Sequence, residues 1–215
     1  MSIRLPNSCF VHIPRTGGLW FGEVLKKLEI KHQVLRGDVD SHFTRREMPG
    51  YWQQFPAFSF VRHPLAWVKS RWSHCIEHNL VADRRNYGIH RVFDECVRPT
   101  LEETIQTIIW TQPGLVGTTY LEMTHNPDSP IPTVLYRTED LPLAACEALF
   151  LFEGLKDYDY EIVLSTPRTN STATMDKYKL ELDSLMESSV LVKTFLSHEK
   201  LALEIWNGAT KCESA

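Results

Sequence analysis

The chain has no apolar run of about 18 residues, the length a helix needs to cross a bilayer, and no signal-like apolar region near its start. It therefore predicts no membrane span. Its five cysteines (Cys9, Cys75, Cys96, Cys146 and Cys212) are scattered, odd in number and without C-x-x-C spacing. That pattern argues against a zinc ribbon or a disulfide framework and predicts reduced thiols in a cytoplasmic protein. A strong net charge is lacking, at −4, so a general nucleic-acid binder is not expected. Internal repeats and low-complexity tracts are missing. So is the Walker A pattern G-x-x-x-x-G-K-[ST], which counts against a P-loop nucleotide kinase. His74 and His78 have zinc-compatible i,i+4 spacing, but H-E-x-x-H order and a third ligand are lacking, and no metal site is expected.

What the chain does have is apolar bulk. Apolar residues make up 43% of its 215 positions, with six Trp and ten Phe, enough for a packed core in one α/β domain over residues 1–215. Apolar blocks predict strands at 9–13, 55–61 and 133–136. Helices are expected from 19 to about 32, over 65–79, 101–110 and 141–152, and through most of 175–206. In the last, Tyr178, Leu182, Leu185 and Met186 recur at helical spacing as a core stripe. The basic stretch 81–98 reads as a loop or lid, and Pro127 to Pro132 as an exposed turn. Alternating strands and helices imply a three-layer α/β domain with a mostly parallel sheet, whose strands' carboxyl ends form the usual ligand crevice.

Three segments fall at such ends. The first, Pro14-Arg15-Thr16-Gly17-Gly18, joins an apolar run to a helix. Glycines let main-chain N–H groups turn inward, and the following helix adds about half a positive charge, so the loop reads as a phosphate cradle. The second runs from Arg62 to Ser70, a planar guanidinium fork and a short hydroxyl donor placed to hold a phosphate dianion. The third, Val134 to Leu141, puts Glu139 and Asp140 directly after a strand. Glu139 is a candidate partner for basic groups. His12 is expected to be packed in the core, while His74, one turn beyond Ser70, is a candidate to line an acceptor pocket. Arg45 and Arg46, like Arg84 and Arg85, are candidates to attract an anionic acceptor.

Together these segments resemble sulfotransferases that use 3′-phosphoadenosine 5′-phosphosulfate (PAPS), closest to the carbohydrate type with a P-loop-like fold. His12-Ile-Pro-Arg-Thr-Gly-Gly18 is similar to that family's H-I-P-K-T-G-G loop for the 5′-phosphosulfate. Arg62 and Ser70 match its R-x₇-S element for the 3′-phosphate. Tyr136-Arg-Thr-Glu-Asp-Leu141 is similar to R-Y-E-D-L, and Asp40-Ser-His42-Phe-Thr44 resembles a histidine-bearing stretch between the donor motifs. Pro167-Arg168-Thr-Asn170-Ser171 resembles the late segment closing over the donor.

The resemblance implies metal-free, in-line sulfuryl transfer from PAPS to a hydroxyl of a carbohydrate or small metabolite, releasing 3′-phosphoadenosine 5′-phosphate (PAP). It makes His42 the general base and Arg15 the residue neutralising the leaving oxygen. Pro14 to Trp20, Arg62, Ser70, Arg168, Asn170 and Ser171 become donor-binding positions; Arg45, His74 and Glu139 become acceptor-side ones. Two departures stand out: Arg15 replaces the family's lysine, and Leu19 and Trp20 replace its hydroxyls. They leave open a degenerate, non-catalytic nucleotide-binding protein as an alternative, with the nucleotide kinase behind it.

Overall fold

Short alternating apolar segments organise a computed structural model that describes residues 2–35, 42–77, 89–129, 131–168 and 189–212. Five strands form one sheet: β1 (Ser2–Arg4), β2 (Cys9–Phe10), β3 (Gln33–Leu35), β4 (Ala57–Val61) and β5 (Thr133–Arg137), in the order β3-β1-β2-β4-β5. β2, β4 and β5 are parallel neighbours, and β1 is antiparallel to both β2 and β3. The sheet is thus mixed and mostly parallel, in an α/β fold. Helices in chain order are α1 (Gly18–Lys27), α2 (Gly50–Gln53), α3 (Pro64–Glu77), α4 (Ile89–Cys96), α5 (Leu101–Thr111), α6 (Leu115–Thr124), α7 (Leu143–Glu153), α8 (Tyr160–Ser165), α9 (Ser189–His198) and α10 (Lys200–Gly208). Among the described residues no helix is long and apolar enough to cross a membrane.

The chain divides into two compact units. The first comprises Met1–Arg62, Tyr120–Asn170 and Gly208–Ala215 and contains the sheet. Period-two alternation sorts its strand residues between two faces. Phe10, Phe58, Phe60 and Tyr136 pack with Trp20, Phe21, Val24 and Leu25 of α1, four alanine and leucine positions of α7, and Val163 of α8. The aromatic rings of Phe10 and Phe21 lie 4.6 Å apart, and Phe152 stacks on Phe58 at 5.4 Å. Cys9, Val11 and Ala57 face the other way, against Met48 and Trp52. Beyond β5, Thr210 pairs with the strand in parallel, its N–H donating to Leu135 O at 2.8 Å.

The second unit, His63–Thr119 with Ser171–Asn207, is helical in its described residues. Trp67 meets Phe93 edge-on at 5.4 Å, and Arg71 pairs with Asp94 at 2.8 Å beneath the surface. Here 89–96, expected within a loop or lid, is helix α4. Phe93 and Cys96 are buried, so tertiary packing overrode a polar composition. Residues 78–88 lie outside the described residues. So do the Tyr178, Leu182, Leu185 and Met186 positions of the expected terminal helix.

Where described, that terminal segment is two helices, broken at Glu199. The carboxylate of Glu199 is buried and accepts the main-chain N–H groups of Val116 and Gly117, the second and third residues of α6. Helix α6 itself had no sequence-level expectation. Helix α1 also ends earlier than expected, at Lys27. Glu29 adopts φ 53°, and the N–H groups of Glu29 and Ile30 return to Lys26 O and Leu25 O, a Schellman closure without a glycine.

Candidate functional site

Register places the carboxyl ends of three parallel strands side by side. Phe10 pairs with Phe58, and Val61 with Arg137, so β2, β4 and β5 open respectively into the 14–18 loop, Arg62 and Thr138. This is the edge at which open α/β sheets take ligands. All of these residues belong to the first unit.

The loop turns through two left-handed residues, Arg15 at φ 66° and Gly17 at φ 95°. Gly17 is also the cap of α1 and gives it no side-chain hydrogen bond. For Arg15 this conformation costs about 1 kcal/mol or more relative to a right-handed one, a strain of the kind found at ligand-binding turns. The Thr16 hydroxyl is buried and donates to Ile13 O at 2.7 Å, closing the turn on itself. Its proton is therefore engaged within the loop, where sequence reasoning placed it on the donor. Beyond Gly17, space is closed by the turn after β5: a Cβ there would come within 2.8 Å of Leu141 Cδ1.

Gly18 has a different reason to be glycine. A Cβ on it would fall onto the imidazole of His12. His12 is buried, as expected, and stacks against Phe10 with ring centroids 6.0 Å apart. Its other neighbour is His42, with centroids 4.9 Å apart and a 49° tilt. The structure thus brings His42, a half-buried residue, to the glycine loop through the ring of His12.

Arg62 lies just past β4. Burial lowers its pKa, opposed by the nearby charge of Glu139 and by Tyr120, while Arg168 lowers it further. That set of influences puts Glu139 and Arg168, both exposed, within electrostatic reach of Arg62. The Tyr120 hydroxyl donates to Arg62 O at 2.7 Å and fixes the main chain there. Tyr120 carried no signal in the sequence, because its partner is 58 residues away. Thr138 was missed too: its hydroxyl is buried and has no hydrogen-bond partner among the described residues.

The remaining expected positions are placed as follows. Leu19 points outward at 59% exposure. Trp20 enters the core, where its indole N–H donates to Thr166 O at 3.0 Å, tying α1 to the segment leading to Arg168. Pro14 is buried and Arg15 half-buried. Ser70 is buried and His74 half-buried, both on α3 in the second unit. Asn170 and Ser171 lie outside the described residues.

Arg45 departs from its expected acceptor-side role. Only 1% exposed, it donates to Trp52 O, Gln53 O and Phe55 O at 3.3, 2.9 and 2.7 Å. The guanidinium gathers main-chain carbonyls of the turn before β4, two of which it shares with other donors, Trp52 O with Phe55 N–H and Gln53 O with the Ser129 hydroxyl. Arg46 alongside it is exposed. Among the described residues no three His, Cys, Asp or Glu side chains group as a metal site. No family model, curated protein or solved structure matches this chain.

Proposed function

We propose that the chain transfers a sulfuryl group from PAPS to a hydroxyl of a carbohydrate or small metabolite, on a P-loop-like domain in the cytoplasm. One juxtaposition carries this reading: the glycine loop opening α1 and the fork of Arg62 terminate neighbouring parallel strands at one sheet edge. The donors available there are guanidinium groups, main-chain N–H groups, imidazole and the Thr138 hydroxyl. That set suits a multiply charged anion. The cytoplasmic setting is drawn from five cysteines that are all thiols.

In this reading the loop N–H groups and Arg15 face the 5′-phosphosulfate and Arg62 takes the 3′-phosphate; the resemblance assigns Ser70 of the R-x₇-S element to the donor as well. The acceptor oxygen attacks sulfur, the bond from sulfur to the 5′-phosphate oxygen breaks, and the acceptor proton passes to His42. Arg15 and the loop amides neutralise charge on the departing oxygen; Arg15 stays protonated and donates only hydrogen bonds. The resemblance further assigns Arg168, Asn170 and Ser171 to the nucleotide, and Glu139 and His74 to the acceptor.

Calorimetry tests the assignment. Arg62→Ala should weaken PAP binding about ten- to a hundredfold, the value of a charge-assisted hydrogen bond, and barely affect the 3′-dephospho analogue. Equal losses for the two nucleotides refute the role given to Arg62. Tight, magnesium-dependent ATP binding refutes the sulfotransferase reading in favour of a nucleotide kinase.

A second reading, a non-catalytic PAP-binding protein, is favoured by one observation. The loop presents no uncommitted hydroxyl proton, since Thr16 donates to Ile13 O and positions 19 and 20 are Leu and Trp. PAP binding without sulfation across a broad panel of hydroxyl acceptors would establish it.

A further inference from the structure

We propose that His12 is a positioning residue: its imidazole, packed against Phe10 and filling the space beside Gly18, sets the orientation of His42 and couples to its protonation. The sequence alone makes His12 a core residue, and its burial agrees. A core role does not explain the second contact, in which the two imidazole centroids stand 4.9 Å apart with planes tilted by 49°. Nor does it explain why the first helical residue of α1 is glycine. That position is glycine because the ring of His12 occupies the space of its Cβ. Phe10 also stacks against this ring, its plane within 26° of the imidazole. A ring bounded in this way has little rotational freedom, so its contact with His42 is fixed.

Imidazole is suited to that task in a way phenylalanine is not. Imidazole gains a proton near neutral pH and so changes charge beside its neighbour, which a phenylalanine ring does not. Two imidazoles in contact also feel each other's protons, so they titrate as a pair. His12, Gly18 and His42 therefore form one mechanical unit within the loop motif. The inference rests on the sulfuryl-transfer reading only for what His42 does; the coupling between the rings stands apart from it.

The experiment is a proton NMR titration of the imidazole resonances in the full chain, with and without PAP. In the unmodified protein each of the two rings should show two inflections, one reporting its neighbour. In His12→Phe, which keeps an aromatic ring between Phe10 and Gly18, His42 should show a single inflection displaced by about one pH unit. The pH profile of turnover should move with it, while PAP affinity changes less than about threefold. Independent single inflections in the unmodified protein overturn the proposal, and that measurement needs no variant to fold. An unchanged His42 titration in a folded His12→Phe variant overturns it as well. Absence of sulfation by the unmodified protein refutes the transfer reading instead, and leaves the ring titration to decide this one.

Discussion

Replacing Glu199 probes how a distant side chain builds a helix. Its two carboxylate oxygens accept Val116 N at 3.2 Å and Gly117 N at 3.1 Å, and the residue is wholly buried. Helix amino ends leave N–H groups without intrahelical partners, and these two have no water to turn to. Each bond to an ionised acceptor is worth about 1.5–3 kcal/mol, but removing a buried carboxylate also relieves its desolvation. The net expectation for Glu199→Ala is a loss of about 2–4 kcal/mol. For a chain of this size that lowers Tm by roughly 5–15 °C. Glu199→Gln keeps one acceptor oxygen but turns an amide N–H toward the other donor, and should lose about 1–2 kcal/mol.

The pH dependence has a definite sign. Burial raises the Glu199 pKa above its ordinary value of 4.5, partly offset by the two N–H groups. Within the window above 4.5 the folded chain holds this proton more tightly than the unfolded chain does. The contribution of Glu199 is therefore fully present below 4.5 and declines as pH rises through its raised folded value. Glu199→Gln should abolish that slope. Urea unfolding at several pH values, with amide exchange at Val116 and Gly117, measures both effects. A Glu199→Ala stability within about 0.5 kcal/mol of the parent, with exchange at those amides unchanged, refutes the reasoning.

Gly18→Ala should cost about 1–3 kcal/mol in thermal or urea unfolding because its methyl displaces the His12 ring. Gly22→Ala in the same helix, where an added Cβ meets nothing within 4 Å, should instead stabilise by about 0.5–1 kcal/mol. Arg45→Ala should lose about 1–3 kcal/mol, as three main-chain carbonyls lose a charged donor, two of them keeping a second one; an unchanged urea midpoint would remove it from the fold's supports. Trp20→Phe keeps the apolar ring but drops the bond to Thr166 O, and should lower stability by about 1 kcal/mol, read by chemical unfolding.

The strands at 57–61 and 133–137 and the helices at 101–111 and 143–153 were legible because each carries its own apolar run or periodicity. So was the glycine loop between strand and helix. Local chemistry of that kind needs no partner, and the sequence by itself determined the α/β class, the loop's place, the carboxyl end of β4 and the start of β5. β1 and β3 escaped notice because strands of three residues have too little pattern to read. α6 escaped because its cap comes from Glu199, more than eighty residues away. The end of α1 was misplaced because a glutamate, not a glycine, takes the left-handed closing position.

At the site the division is sharper. Sequence supplied the residue types, and the order of the strands decided that the loop, Arg62 and Thr138 share one edge. Only tertiary packing turned Thr16 onto Ile13, sent Trp20 and Arg45 inward, and set His12 between Gly18 and His42. These depend on which atoms a folded chain leaves within hydrogen-bond or van der Waals reach. One-dimensional spacing does not encode that.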